Sequence, residues 1–198
     1  MFRDVTEYGH CARCISRLRG RLHRVRKDYG AAEALYKRAI AAHPSHASVL
    51  VKYGNLLKHQ RRDYDGAEMC YKRAIEANPR HADSLGNYAV LLHGVRRHYD
   101  DAERMYERAV AACPTHTNNL GNYALFLADV RNDYVRAEAL YKRAIASNPK
   151  HANSCYNYAV MLDNALRRYD EAEALYRKAL EANPRHAFSW YNLAARHQ

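Results

Sequence analysis

Apolar positions recur along this chain with the period of a helix, and the helices themselves recur with a longer one. In residues 82–116, Leu85, Tyr88, Ala89 and Leu92 stand at i, i+3, i+4 and i+7, which places them on one helical face. A polar turn follows at Arg96-Arg97-His98. Tyr99, Ala102, Tyr106 and Ala109 then form the stripe of a second helix. Its small Ala102 and Ala109 let a neighbouring helix come close, and Asp100 and Asp101 fall in its first turn, where the helix dipole favours negative charge. The whole unit repeats. Tyr29, Tyr64, Tyr99, Tyr134 and Tyr169 are each 35 residues apart, and so are Pro44, Pro79, Pro114, Pro149 and Pro184.

Neither helix of such a pair can bury its stripe alone, so consecutive pairs must stack to share a core. The pattern predicts an all-α chain with repeats at 12–46, 47–81, 82–116, 117–151 and 152–186, a terminal helix at 187–198, and an unassigned extension at 1–11. In the first repeat Ile15, Leu18, Leu22 and Val25 keep the core phase. Arg19 and Arg21 replace the small and apolar residues of the other repeats, as suits a capping helix. Asn78, Asn148 and Asn183 precede a Pro, which reads as a helix stop through a left-handed Asn.

The phrases LGNYAVLL and YDDAERMYERAV, with a Pro before the next helix, resemble the tetratricopeptide repeat over residues 12–198. The resemblance implies five full repeats plus a terminal helix in a right-handed superhelical solenoid. It also implies macromolecular recognition along a groove lined by the first helices. The period here is 35 where the family's is 34, and the extra residue is expected at the end of the first helix or in the turn after it. RNA-reading pentatricopeptide repeats also run at about 35 residues, but their pattern lacks the Tyr-x-x-Ala-Glu-x-x-Tyr-x-x-Ala helix and the Asn-Pro stop.

In the third repeat the face opposite the core carries Asp83, Gly86, Asn87, Val90 and His93. Asn87 recurs in phase as Asn122, Asn157 and Asn192, with Lys52 in the second repeat. Asn is a middling helix former, and it offers both a donor and an acceptor to a peptide backbone. Helices packed about 8–10 Å apart would let one Asn hold about every third residue of a chain advancing ~3.3 Å per residue. The competing reading is that each Asn bonds within the repeat and holds the helices in register. Asn55 and Asn87 could fill the Asn roles of the family's carboxylate clamps, but Val51, Asn118 and Asn122 stand where those clamps carry cations. Charge on this face runs from Lys52, Lys58 and His59 to Asp129 and Asp163.

The formal net charge is +11. Much of it clusters near the ends of first helices: Arg24, Arg26 and Lys27, then Arg61 and Arg62, Arg96 and Arg97, Arg131, and Arg167 and Arg168. Stacking would align these as a basic edge able to hold RNA, DNA or an acidic protein. The plainer account is that cations stabilise helix C-termini by about 0.3–1 kcal/mol each. Nucleic-acid binding would also want exposed aromatics, and only Tyr156 and Tyr191 leave the core phase. Lys37, Lys72, Lys142 and Arg177 follow Glu33, Glu68, Glu138 and Glu173 by four residues, as helix-surface pairs do.

Catalytic and cofactor chemistry find no support. There is no phosphate-binding glycine loop and no nucleophile elbow. Cys11 and Cys14 form a lone CxxC without the four ligands of a structural zinc site. His46, His81, His116, His151 and His186 repeat too far apart to share a metal, and are expected at helix starts, packed against the Pro two residues before. Five cysteines spread over different phases argue for a reducing compartment. With no apolar stretch of membrane-spanning length and no secretory signal in MFRDVTEYGH, the expected location is cytoplasmic, with the nucleus as alternative. Phe188, Trp190, Tyr191 and Leu193 make the last helix apolar, and self-association through it is an expectation.

Overall fold

The structure, a computed structural model, describes residues 29–196. These form α1 (Tyr29–Ala42), α2 (Ala47–Leu56), α3 (Tyr64–Ala77), α4 (Ala82–Leu91) and α5 (Tyr99–Ala112). They continue as α6 (Thr117–Phe126), α7 (Tyr134–Ser147), α8 (Ala152–Asn164), α9 (Tyr169–Ala182) and α10 (Ala187–Arg196). Two compact units result, one ending at Leu91 and the other beginning at Leu92. Within each, every helix packs on its sequence neighbour, as α2 does on α3 and α8 does on α9. The capping phase at Ile15–Val25 and the Cys11/Cys14 pair lie outside the described residues.

The second-helix stripe is the core. Tyr36 and Tyr71 are buried in the first unit, and Tyr106, Tyr141 and Tyr176 in the second, each between two buried alanines such as Ala67 and Ala74 or Ala137 and Ala144. The alanines allow the close approach, and in the second unit the Tyr106 and Tyr141 rings stack on a Tyr of the next repeat. Centroids are 5.5 Å apart for Tyr106 with Tyr123 and for Tyr141 with Tyr158. Such pairs are worth about 0.5–1.5 kcal/mol beyond the area they bury. Gly54 is required by this approach: a Cβ there would meet Tyr71 Cε1 at 2.7 Å.

The thirty-fifth residue is absorbed where first helices end. α2, α4 and α6 each run into one π-helical turn, at Leu57–Arg61, Leu92–Arg96 and Leu127–Arg131. A π turn bonds i to i+5 and so holds one residue more than an α turn. Arg62, Arg97, Asn132 and Arg167 then take positive φ of 55°, 58°, 54° and 55°. This reverses the chain and aims the next amide back: Asp63, His98, Asp133 and Arg168 donate to the carbonyls of Leu57, Leu92, Leu127 and Leu162 at 2.9–3.1 Å. Three of the four left-handed residues are arginines, not the glycine such positions favour.

The Asn-Pro stop works differently from the expectation. Asn78, Asn148 and Asn183 have φ of −146°, −146° and −144°, in the extended region. A following proline pushes its predecessor out of the helical region towards extended backbone. The Asn side chain acts instead as a turn acceptor, taking the amides of Arg80, Lys150 and Arg185 at 3.1 Å.

Candidate functional site: the asparagine phase of the first helices

The Asn positions share one phase and one half-buried environment, yet their bonding differs. In the first unit Asn87 Nδ2 donates to the carbonyl of Asp83 at 2.7 Å, one turn back on α4. Asn55 Oδ1 accepts the Tyr71 hydroxyl at 2.6 Å, which ties α2 to α3. Both therefore do structural work. Lys52 is exposed, whereas Lys58 is about nine-tenths buried. Burial lowers the Lys58 pKa, and among the described residues no carboxylate pairs with it.

The second unit holds the other three. Asn192 Nδ2 donates to the Tyr176 hydroxyl at 2.9 Å, and Tyr176 in turn donates to Asp163 at 3.4 Å. Asn122 and Asn157 make no side-chain hydrogen bond among the described residues. Tyr141 stands to Asn157 in the register of Tyr176 to Asn192, 16 residues apart, but its buried hydroxyl has no partner. Leu125 occupies the position that Asn55 holds beside Tyr71, so the acceptor of that pair is missing. Burial, with a contribution from the Asp129 charge, pushes the Tyr141 hydroxyl pKa up. Burial also raises Asp129 and lowers His93, and the charge of each opposes the shift of the other. Tyr156, one residue before Asn157, packs on His186 and Phe188 with centroids at 4.9 and 6.1 Å. Phe188, Trp190 and Tyr191 of α10 remain more than half exposed.

The basic edge is substantially neutralised from within. Arg61 reaches Glu33 at 3.1 Å, Arg131 reaches Asp100 at 2.5 Å and Glu103 at 2.8 Å, and Arg168 reaches Glu138 and Glu171 at 2.7 Å. Each thus crosses to the second helix of the preceding repeat, Arg168 through Glu138 while Glu171 lies on the helix that follows it. Glu138 collects Arg168, Lys142 and the Tyr158 hydroxyl; partial burial works against its charge, but these bonds hold the carboxyl down to about 2. Arg62, Arg97 and Arg167 are exposed in the left-handed turns, and Arg96 is half-buried. The four i, i+4 pairs form as expected, at 2.8, 2.8, 2.7 and 2.6 Å.

The repeated histidines do begin helices, and four of them cap their helix, whereas the buried Nδ1 of His46 has no partner. Nδ1 of His81, His116, His151 and His186 accepts the backbone amide three residues on at 3.3 Å. The hydroxyls of Ser84, Ser154 and Ser189 lie 2.7–2.9 Å from the same nitrogens. The His-x-x-Ser spacing carries this signal in the sequence, in the manner of a capping box. Capping needs an unprotonated Nδ1, and burial lowers the pKa of His151. Cys70 and Cys155 are free and buried. Burial pushes the Cys70 thiol up to about 11 and raises Cys155, so neither is a ready nucleophile.

Among the described residues no three His, Cys, Asp or Glu side chains gather as a metal site, and no helix is long and apolar enough to cross a membrane. Two sequence profiles described as tetratricopeptide repeat match the chain, one at 17–62, 57–117 and 89–152 and the other at 131–196. Among solved structures, a thermophilic TPR protein of Thermus thermophilus superposes with a TM-score of 0.75 at 21% identity, over 93% of this chain and 98% of that one. PilF of Pseudomonas aeruginosa gives 0.75 at 18% identity, over 90% and 79%. YrrB, described as a TPR protein with an unusual peptide-binding site, gives 0.61 at 20% identity, over 93% and 92%. No curated protein matches in sequence.

Proposed function

Because this chain belongs to the tetratricopeptide-repeat family, whose members generally mediate protein–protein interactions, we propose that it is a binding module that grips an extended peptide through Asn122 and Asn157. One observation carries the reading. Of the four Asn in phase, Asn87 and Asn192 are committed to internal bonds, while Asn122 and Asn157 keep both amide functions free. Each can take one carbonyl and one N–H of an extended backbone without reading its side chains. Ligand charge follows from groups of the same unit: Asp129 and Asp163 favour cations along it.

The test is selection from a random peptide library, followed by titration of the best peptide against wild type and an Asn122→Ala, Asn157→Ala double variant. Loss of two backbone grips should weaken binding by on the order of tenfold or more, with the melting temperature nearly unchanged. Asn192→Ala should do the reverse, lowering stability more than affinity. A double variant that binds the peptide as wild type does overturns the reading. So does single-stranded RNA that outcompetes every peptide with a steep loss on added salt.

A further inference from the structure

A second recognition surface lies away from the Asn phase. In the second unit α5, α6 and α7 enclose an open cavity of about 530 Å³. Val110, Leu127 and Leu140 form its apolar wall, Tyr123 lies against it, and Glu107 and Arg143 stand at its rim. None of the Asn-phase residues lines it. Its volume falls within the 300–1,000 Å³ typical of ligand pockets.

One departure from the repeat explains the opening. At the position of Glu107 the other repeats carry a cation: Lys37, Lys72, Lys142 and Arg177. Each pairs with the Glu four residues before it, and Lys72 also sits 5.9 Å from the centre of the Tyr88 ring, covering it. In the third repeat Glu107 follows Glu103, and like charges at i, i+4 repel. Glu103 turns to Arg131 and Arg136, both at 2.8 Å. Tyr53, Tyr88 and Tyr158 donate to Glu33, Glu68 and Glu138, but Tyr123 donates to Glu107 at 3.3 Å. The long cationic side chain that pairs with the preceding Glu in the other repeats is therefore missing. An apolar wall and an exposed carboxylate without an ion pair remain, beside a Tyr123 ring that is buried against Tyr106.

We propose that this cavity docks a partner peptide that inserts an apolar side chain against Val110, Leu127 and Leu140 and sets an adjacent Lys or Arg against Glu107 at the rim. The repeat itself defines the chemistry of the missing group, because four other copies place an ammonium or guanidinium there. Arg136 also lines the cavity and donates to the Tyr123 hydroxyl at 3.5 Å, but its charge is met by Glu103 and Asp133, which leaves the Glu107 carboxylate to an incoming cation. Arg143 donates to the Pro114 carbonyl at 3.1 Å and keeps its charge. It disfavours a second cation at that end and so sets the direction of the peptide.

The site is independent of the Asn phase, and so is its test. Acetyl-Leu-Leu-Lys-amide and acetyl-Leu-Leu-Glu-amide are titrated into the ¹⁵N-labelled full chain. The Lys peptide should shift amide signals of residues 107–111, 123 and 136–143 and leave 122 and 157 in place. It should bind about two- to fivefold more tightly than the Glu peptide, the size expected of one rim ion pair. Glu107→Lys restores the ordinary Glu–Lys pair with Glu103, so it should fold at least as stably as wild type and lose the shifts. Equal binding of the two peptides, shifts outside the cavity alone, or undiminished binding to a folded Glu107→Lys variant would overturn the proposal.

Discussion

Tyr141 and Tyr71 offer a matched pair in which one hydrogen bond is present and the other absent. Both side chains are fully buried, at 0% exposure. The Tyr71 hydroxyl donates to Asn55 at 2.6 Å, while that of Tyr141 has no partner. Removing the oxygen by Tyr141→Phe therefore deletes a buried group that lost its water and gained nothing, a state costing about 1–3 kcal/mol. Tyr71→Phe removes a formed bond, worth about 1 kcal/mol net, and leaves Asn55 Oδ1 unpaired. The small void left by the oxygen is common to both variants and cancels in the comparison. The two should differ by about 2 kcal/mol or more, Tyr141→Phe above wild type and Tyr71→Phe below it. At ~2–4 °C per kcal/mol for a chain of this size, melts followed by far-UV circular dichroism resolve that gap, and urea midpoints check it independently. If Tyr141→Phe melts below wild type by as much as Tyr71→Phe does, the hydroxyl has a partner and the reasoning fails.

Two further outcomes follow from local geometry. His151 caps α8 through an unprotonated nitrogen, and burial holds its folded pKa below the ordinary 6.5. The unfolded chain then takes up the proton first, so this contribution is complete above pH 6.5 and is lost as pH falls through the folded value. His151→Asn keeps an acceptor without a titration; the urea midpoint of wild type should drop faster than that of the variant between pH 7 and 5, and parallel curves would reject the cap. At Arg62, with φ of 55°, a left-handed L-residue costs about 1–2 kcal/mol, partly recovered because Gly loses more freedom on folding. Arg62→Gly should raise the denaturation midpoint slightly and the β-branched Arg62→Val should lower it, and equal tolerance of both would remove the argument.

What was legible in the sequence is what depends on period. The spacing of Tyr and Ala determined the helix pairs, the buried stripe and the order of packing, because a helix with one apolar face has one way to bury it. The Glu–Lys pairs were equally readable, since four residues along a helix always meet. So was the place of the extra residue, though not its form as a π turn closed by a left-handed arginine. Identity in phase did not settle use. Asn87 and Asn122 occupy equivalent positions, yet one bonds its own helix and the other is free. Arg61, Arg131 and Arg168 looked like an outward edge and instead reach acids 28–31 residues back. The open cavity beside Glu107 follows from how Glu103, Arg131, Arg136 and Tyr123 divide their bonds. Those choices rest on distances of a few tenths of an ångström among side chains from different helices, and only the packed structure brings the competing partners together.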